Sequence, residues 1–347
     1  MRNLILYRFF RINSLKAKNE EEVLEELKNE GFEVEKIDLF GKNFGFFFKG
    51  KEEKTKLSES KLFFDKKIYI QSASSQAIPL ILSPQKSQKI LDLAASPGSK
   101  TTQIASILEN TGLIFANDPK SLRFKKLVEN LEDFGVNNCI PTAIYGEIFH
   151  EFLPNFFDKV LVDPSCTSIG ADKKLEKKWY PKKSKILATN QLRLLKSGFL
   201  ALKNGGEIVY STCTDRIIEN ELVIERFLRE FSNKCELLDI KKSFRTEKNC
   251  EYFQNKDSVL DRSFDKEKIS SEIWEKTSRI KFDENFFVAK FRKTSGTFQK
   301  KKRVLNLKIY KFKEEENFVR FFVNNKFVRI EKNLFDELVE RIKFERL

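Results

Sequence analysis

Histidine is nearly absent from the 347 residues, and His150 stands alone. A single imidazole excludes an H-E-x-x-H metal site and leaves little room for a Ser-His-Asp or Cys-His nucleophile. The five cysteines, Cys139, Cys166, Cys213, Cys235 and Cys250, are odd in number and form no C-x-x-C pair. Neither a zinc site nor a disulfide framework follows from that spacing, so no metal is expected and a reducing, cytoplasmic setting is. No apolar run approaches the roughly 18 residues that span a bilayer, and the short apolar stretch Met1–Phe10 lacks a small-residue cleavage site. Neither a membrane partner nor export is expected. The patterns G-x-G-x-x-G and G-x-x-x-x-G-K-[ST] are also missing, which speaks against NAD and ATP.

What is abundant is charge and phenylalanine. Lys and Arg number 65 against 51 Asp and Glu, a net charge of +14 that suits a polyanionic partner, although drift towards Lys-rich composition would give the same figure. A hydrophobic content of 40% is enough to bury a core. Three regions differ in texture. Residues 1–65 read as a small α+β domain, with a helix over Glu20–Asn29 and a strand over Phe44–Phe48. Residues 66–293 alternate strands and helices, the signature of a doubly wound, mostly parallel sheet. Its strands are expected at Lys89–Leu93, Leu113–Asn117, Lys159–Asp163, Glu207–Ser211 and Asn285–Phe291, with an irregular charged insertion over 241–281. Residues 294–347 form a short basic extension, with 14 Lys and Arg against 8 Asp and Glu.

Two features carry chemistry. In the first, Ile90–Leu93 runs through the small residues Ala94, Ala95, Ser96, Pro97, Gly98 and Ser99 into Lys100 and a helix. Small side chains let backbone amides approach a ligand at a helix N-terminus, and Asp118, ending the next strand, can accept from ribose hydroxyls. Together these make an adenosine-type pocket. In the second, Asp163-Pro164-Ser165-Cys166 and Ser211-Thr212-Cys213-Thr214 each follow a hydrophobic strand. Neighbouring strands lie about 4.8 Å apart, so both thiols can reach one substrate ring. Lys100 and nearby helix N-termini supply the positive potential that a thiolate needs. Cys139, Cys235 and Cys250 read as apolar packing residues.

Methylation at C5 of a pyrimidine uses such a set without histidine or metal. A thiolate adding to C6 makes C5 nucleophilic, a carboxyl group at N3 stabilises the accumulating charge, and a second thiol can assist release.

These residues resemble the Nop/Sun family of S-adenosylmethionine-dependent RNA cytosine-5 methyltransferases, over roughly residues 8–293. Arg11-Ile12-Asn13-Ser14-Leu15-Lys16 is similar to its R-x-N-T-L-K entry segment, and Ile70–Ser75 to the segment leading into the catalytic domain. Asp92–Thr101 resembles D-x-C-A-A-P-G-G-K-T, and Asp118 with Arg123 resembles D-x-x-x-x-R. The two cysteine motifs, and Phe286-Phe287-Val288-Ala289 as the closing strand, complete the order. The resemblance implies a Rossmann-like methyltransferase fold and S-adenosylmethionine held by Ala94–Lys100, Asp118, Arg123 and Asp163. It implies that Cys213 is the nucleophile, that Cys166 assists product release and that Asp163 contacts the base. Ala94, Ser96 and Ser99 depart from the family pattern, and the Ser99 side chain is expected to weaken cofactor binding. Glu147 is the nearest candidate for an acidic residue beside the adenine.

The implied partner is rRNA or tRNA, bound by a monomer, with contacts expected from Arg11, Asn13, Lys16, Lys173, Lys174, Lys177 and Lys178, beside Trp179 and Tyr180. Two alternatives stand beside this reading. One is a DNA cytosine-5 methyltransferase, in which Cys166 would attack. The other is a non-catalytic RNA-binding or assembly factor on the same fold.

Overall fold

The computed structural model describes residues 7–39, 42–49, 56–169, 171, 174–175, 180–240, 269–281, 284–296 and 303–346. Cys250, Lys173, Lys177, Lys178 and Trp179 lie outside them. Among the described residues no helix is long and apolar enough to cross a membrane.

The N-terminal part is a four-stranded sheet of β1 (Tyr7–Ile12), β2 (Val34–Leu39), β3 (Lys42–Lys49) and β4 (Ile68–Ile70), in the order β2-β3-β1-β4. Helix α1 (Glu20–Asn29) begins at Asn19, whose side chain accepts from the Glu21 N–H. It buries Val23 and Leu27 with Phe10, Phe32, Leu57, Leu62 and Ile68. Because β4 pairs with β1, this sheet runs past the boundary expected at residue 65. The short helix α2 (Lys61–Phe64) precedes β4.

After α3 (Ala73–Leu82) the chain enters the central sheet. Its parallel strands are β5 (Lys89–Asp92), β6 (Leu113–Asn117), β7 (Cys139–Thr142), β8 (Phe157–Val162) and β9 (Leu202–Thr212). Between them run α4 (Ser99–Ile107), α5 (Ser121–Asp133) and α6 (Pro181–Ala201). After β9 come α7 (Glu221–Phe231) and β10 (Cys235–Leu238). The segment 269–281 is not irregular as expected: it forms α8 (Ser271–Lys276) and β11 (Ser278–Lys281), which pairs with β12 (Asn285–Lys293). The sheet order is β10-β12-β9-β8-β5-β6-β7, with β12 antiparallel to β9. Strands β5, β6 and β7 build outward in one direction, and the chain then returns to place β8 on the other side of β5. That reversal opens a crevice at the carboxyl ends of β5 and β8, where doubly wound sheets bind ligands. The fold is the Rossmann-like α/β architecture expected. Both sheet faces are covered, and Leu91, Phe115, Val160, Val162, Ile208 and Tyr210 are fully buried.

The described part of the basic extension from Asn306 onward has regular structure. It forms the sheet β15-β14-β13-β16, made of β13 (Asn306–Glu314), β14 (Phe318–Val323), β15 (Lys326–Glu331) and β16 (Lys343–Arg346), with α9 (Lys332–Val339). The Phe and Val alternation visible in the sequence is the two-residue period of β14 and β15, whose buried set is Val319, Phe321, Val323, Val328 and Ile330. This unit closes the amino ends of the central strands. The Arg329 N–H donates to Asn137 O (2.6 Å), Glu331 Oε1 accepts from the Gly112 N–H (3.2 Å), and Lys89 Nζ meets Glu337 (2.5 Å).

Candidate active site

The turn after β5 is held open from both sides. Gly98 takes φ +104° as the N-cap of α4, and a Cβ there would meet Leu127 Cδ1 at 3.1 Å, so glycine is required by conformation and by the close approach of α5. Ser96 Oγ donates to Arg123 O (2.8 Å), and Arg123 Nη2 returns a bond to Ser96 O (3.0 Å). The Arg123 Nε also lies 3.0 Å from Asp118 Oδ2, while Nη1 reaches Ser165 Oγ (3.2 Å). Ser96, a departure from the family pattern, thus fastens the turn to α5.

Beside it opens a cleft of about 210 Å³, lined by Leu93, Ala94, Asp118, Pro119, Arg123, Glu147, Pro164, Gln191 and Leu194 among others. Of the expected cofactor residues, Ala94, Asp118 and Arg123 meet there, and Glu147 joins them. Ala95, Ser96, Pro97, Gly98, Ser99, Lys100 and Asp163 are not among the lining residues; the first five shape the turn, and Lys100 and Asp163 pair with each other. A cleft with apolar walls from Leu93, Ala94, Pro119 and Leu194, and with Asp118 and Glu147 in its lining, suits a flat heterocycle carried on a diol.

Past the cleft, β8 and β9 end side by side. Asp163 follows β8 and accepts from Ser211 Oγ at Oδ1 (2.8 Å) and from Lys100 Nζ at Oδ2 (2.6 Å). Burial works against the Lys100 charge, but Asp163 outweighs it and the ammonium is held above its ordinary range. Cys166 Sγ and Cys213 Sγ lie 3.2 Å apart, and Ser168 Oγ sits 3.4 Å from Cys213. The hydrogen bond from Cys166 lowers the Cys213 thiol below its ordinary value, with Ser168 and Lys100 adding to the effect against burial and the Asp163 charge. The same bond and burial push Cys166 well up. One sulfur is therefore biased towards thiolate and its neighbour towards thiol.

Sequence reasoning missed what holds these loops together. Glu219, fully buried, accepts from the Thr167 N–H (3.0 Å), Thr167 Oγ1 (2.7 Å), Ser184 Oγ (2.7 Å) and Gln191 Nε2 (3.1 Å). It ties the first cysteine loop to α6, and Thr167 Oγ1 in turn meets Thr214 Oγ1 (2.8 Å) in the second loop. Asn220 completes the clamp by donating to Thr214 O (2.9 Å). No sequence signal marked it, since Glu219 stands in the largely polar segment Asp215-Arg216-Ile217-Ile218-Glu219-Asn220-Glu221.

Two expected RNA contacts are corrected. Arg11 and Asn13 are buried, at 3% and 1% exposure. Arg11 bonds Gln71, Ser99 O and Thr102 Oγ1, and Asn13 bonds Lys66 O and Phe134 O. These polar groups fasten β1 onto α4 and α5, because a junction between two units needs partners for its backbone carbonyls. Lys16 and Lys174 are exposed.

Known proteins resemble this chain over most of its length. The family described as 16S rRNA methyltransferase RsmB/F matches residues 79–292. Ribosomal RNA small subunit methyltransferase F of Pectobacterium carotovorum is 33% identical over 84% of this chain, and the chain spans only 57% of that protein. The tRNA (cytosine(49)-C(5))-methyltransferase of Pyrococcus abyssi is 36% identical, over 82% of this chain and 87% of its own. A solved methyltransferase homologue from Pyrococcus horikoshii superposes with a TM-score of 0.67 at 31% identity, over 83% of this chain and 87% of that one. With its sulfur pair at the ends of adjacent strands and a family match across the central sheet, this chain belongs to the RsmB/F family of methyltransferases.

Proposed function

We propose that this protein transfers the methyl group of S-adenosylmethionine to C5 of a cytosine in rRNA or tRNA. The observation that carries the proposal is the unequal sulfur pair, 3.2 Å apart and beside the Lys100–Asp163 ion pair. The cleft at Ala94, Asp118 and Glu147 fits the adenosine portion of the cofactor, with Asp118 placed for the ribose and Leu93, Pro119 and Leu194 for the ring. When bound, S-adenosylmethionine supplies an electrophilic sulfonium methyl.

The protein's part in the reaction follows from its charges. The Cys213 thiolate adds to C6 of the cytosine, and the electron pair displaced from the C5–C6 double bond makes C5 nucleophilic. Addition places negative charge on N3 of the ring, and Asp163, oriented by Ser211, passes it a proton drawn from the Lys100 ammonium that it bonds. On release the C5 proton passes to water, the C5–H electron pair re-forms the C5–C6 double bond, the C6–S pair returns to the Cys213 sulfur and the N3 proton returns to Asp163. The protonated Cys166 then stabilises the departing thiolate through its hydrogen bond. The lowered Cys213 thiol favours this order of roles over attack by Cys166, as a DNA-type enzyme would require.

The test is a denaturing gel of protein mixed with RNA and S-adenosylmethionine. Cys213→Ala is expected to lose methyl transfer and form no adduct, and Cys166→Ala to accumulate a covalent protein–RNA band. An active Cys213→Ala protein refutes the assignment. If the wild-type protein gives no calorimetric signal at millimolar S-adenosylmethionine, the non-catalytic reading replaces it.

A further inference from the structure

The outward face of the C-terminal sheet carries two cross-strand rows. In one, Tyr310 pairs with Phe322 and Phe322 with Phe327 across β13, β14 and β15. Tyr310 and Phe327 are 44% and 45% exposed, although the other face of the same sheet buries Ile309, Val323 and Val328. In the adjacent row, Lys313 pairs with Arg320 and Arg320 with Arg329. Three like charges directly opposite one another destabilise a sheet unless an anion meets them. Glu315 partly does so, at 3.6 Å from Lys313 and 3.1 Å from Arg320. Arg329 has no carboxylate partner among the described residues; its guanidinium lies 3.4 Å from the centre of the Phe318 ring.

From this juxtaposition we propose that the face formed by Tyr310, Phe322 and Phe327, edged by Lys313, Arg320 and Arg329, is a second RNA-binding surface that stacks the bases of an unpaired segment. Aromatic rings exposed in a row accept bases of any identity, and the cationic row beside them follows the phosphates. Two strand spacings give the row a width of about 10 Å, room for two or three splayed bases. The inference rests on RNA being the substrate and adds where else that RNA is held. The C-terminal unit packs on the amino ends of the central strands, whereas the sulfurs lie at the carboxyl ends. The bound segment is therefore distant from the reacting cytosine, and the surface acts on substrate affinity and not on the chemical step.

A fluorescein-labelled oligouridylate of about twelve nucleotides, which contains no cytosine, probes the surface in the full-length protein. Tyr310→Ala with Phe327→Ala is expected to weaken its binding about ten-fold and to raise KM for unmodified rRNA or tRNA with kcat unchanged. Tyr310→Phe with Phe327→Tyr, which keeps both rings, is expected to behave as wild type and separates stacking from misfolding. Unchanged oligouridylate affinity and KM in the alanine variant overturn the surface while leaving methyl transfer intact. If wild-type protein binds oligouridylate through these rings yet transfers no methyl group, the surface stands and the catalytic reading fails. Loss of self-association with RNA binding unchanged would make the face a contact between copies of the chain and overturn the proposal.

Discussion

Cys139 begins β7 and Cys213 follows β9, so one sheet carries a thiol at each of its rims. At the amino rim Cys139 is fully buried, and burial pushes its thiol up to about 12. At the carboxyl rim Cys213 is half-buried, shares a hydrogen bond with Cys166, donates one to Ser168 Oγ, and is lowered. The charges divide in the same way. Lys89–Glu337 and Lys159–Glu207 are closed pairs under the C-terminal unit and between strands. Lys100–Asp163 borders the crevice opened by the reversal of strand order. The same residue types do structural work where the fold covers them and chemical work where topology leaves an opening.

The largest expected difference between the rims is in catalysis. Cys213→Ala should lower methyl transfer by at least about 1,000-fold, whereas Cys139→Ala should leave the rate unchanged and cost about 1 kcal/mol of stability. Single-turnover transfer and urea unfolding of the two variants measure both quantities. Equal losses of rate would erase the distinction.

Next comes the clamp. Glu219→Ala strips the common acceptor from the Thr167 N–H, Thr167 Oγ1, Ser184 and Gln191, all inside the protein. A stability loss of about 3 kcal/mol is expected. Displacement of Cys166 relative to Cys213 should lower kcat about 100-fold, with KM little changed. Glu219→Gln retains an acceptor oxygen and should recover part of both. A variant with normal kcat would show that the cysteine loops hold their register without it.

A smaller effect is in thiol reactivity. Iodoacetamide should label Cys213 at pH 7.5 at least about ten-fold faster than Cys139. Because the thiolate is the reactive form, a lowered thiol brings its labelling midpoint below that of an ordinary cysteine. Peptide mapping after timed quenching reads both rates, and equal labelling would remove the electrostatic argument for Cys213.

Most of the carboxyl rim was legible in the sequence because strand ends are local features. A hydrophobic run ending in Asp163 or Ser211 announces where the next polar residues stand, and the parallel order then brings Cys166 and Cys213 together. The Glu219 clamp was not legible, since its four donor groups come from three residues, Thr167 in the first cysteine loop and Ser184 and Gln191 on α6, all remote from it in sequence. Arg11 and Asn13 misled for a related reason. A basic entry segment reads as an RNA contact, but the packing of β1 on α4 decides which way its side chains face. The C-terminal unit showed its strand period and concealed its position, because docking onto Gly112 and Asn137 depends on backbone groups.

The last expected effect is on stability alone and tests the amino rim. Glu207 is 12% exposed and lies 2.5 Å from Lys159 Nζ and 2.9 Å from Lys290 Nζ. Burial alone would raise its carboxyl; the two ammonium groups outweigh that and lower it to about 2. A carboxyl lowered on folding contributes stability that is complete above its unfolded value of 4.5 and is lost as pH falls through about 2. Glu207→Gln should therefore cost about 2 kcal/mol at pH 7, after allowing for solvent screening, and the gap from wild type should close between pH 4.5 and 2. Urea unfolding across that range measures it. Methyl transfer at pH 7.5 should be unchanged, because the pair sits at the covered end of β8 and β9. A loss of rate there would mean that the two rims are coupled through the strands, and the division drawn between them would fail.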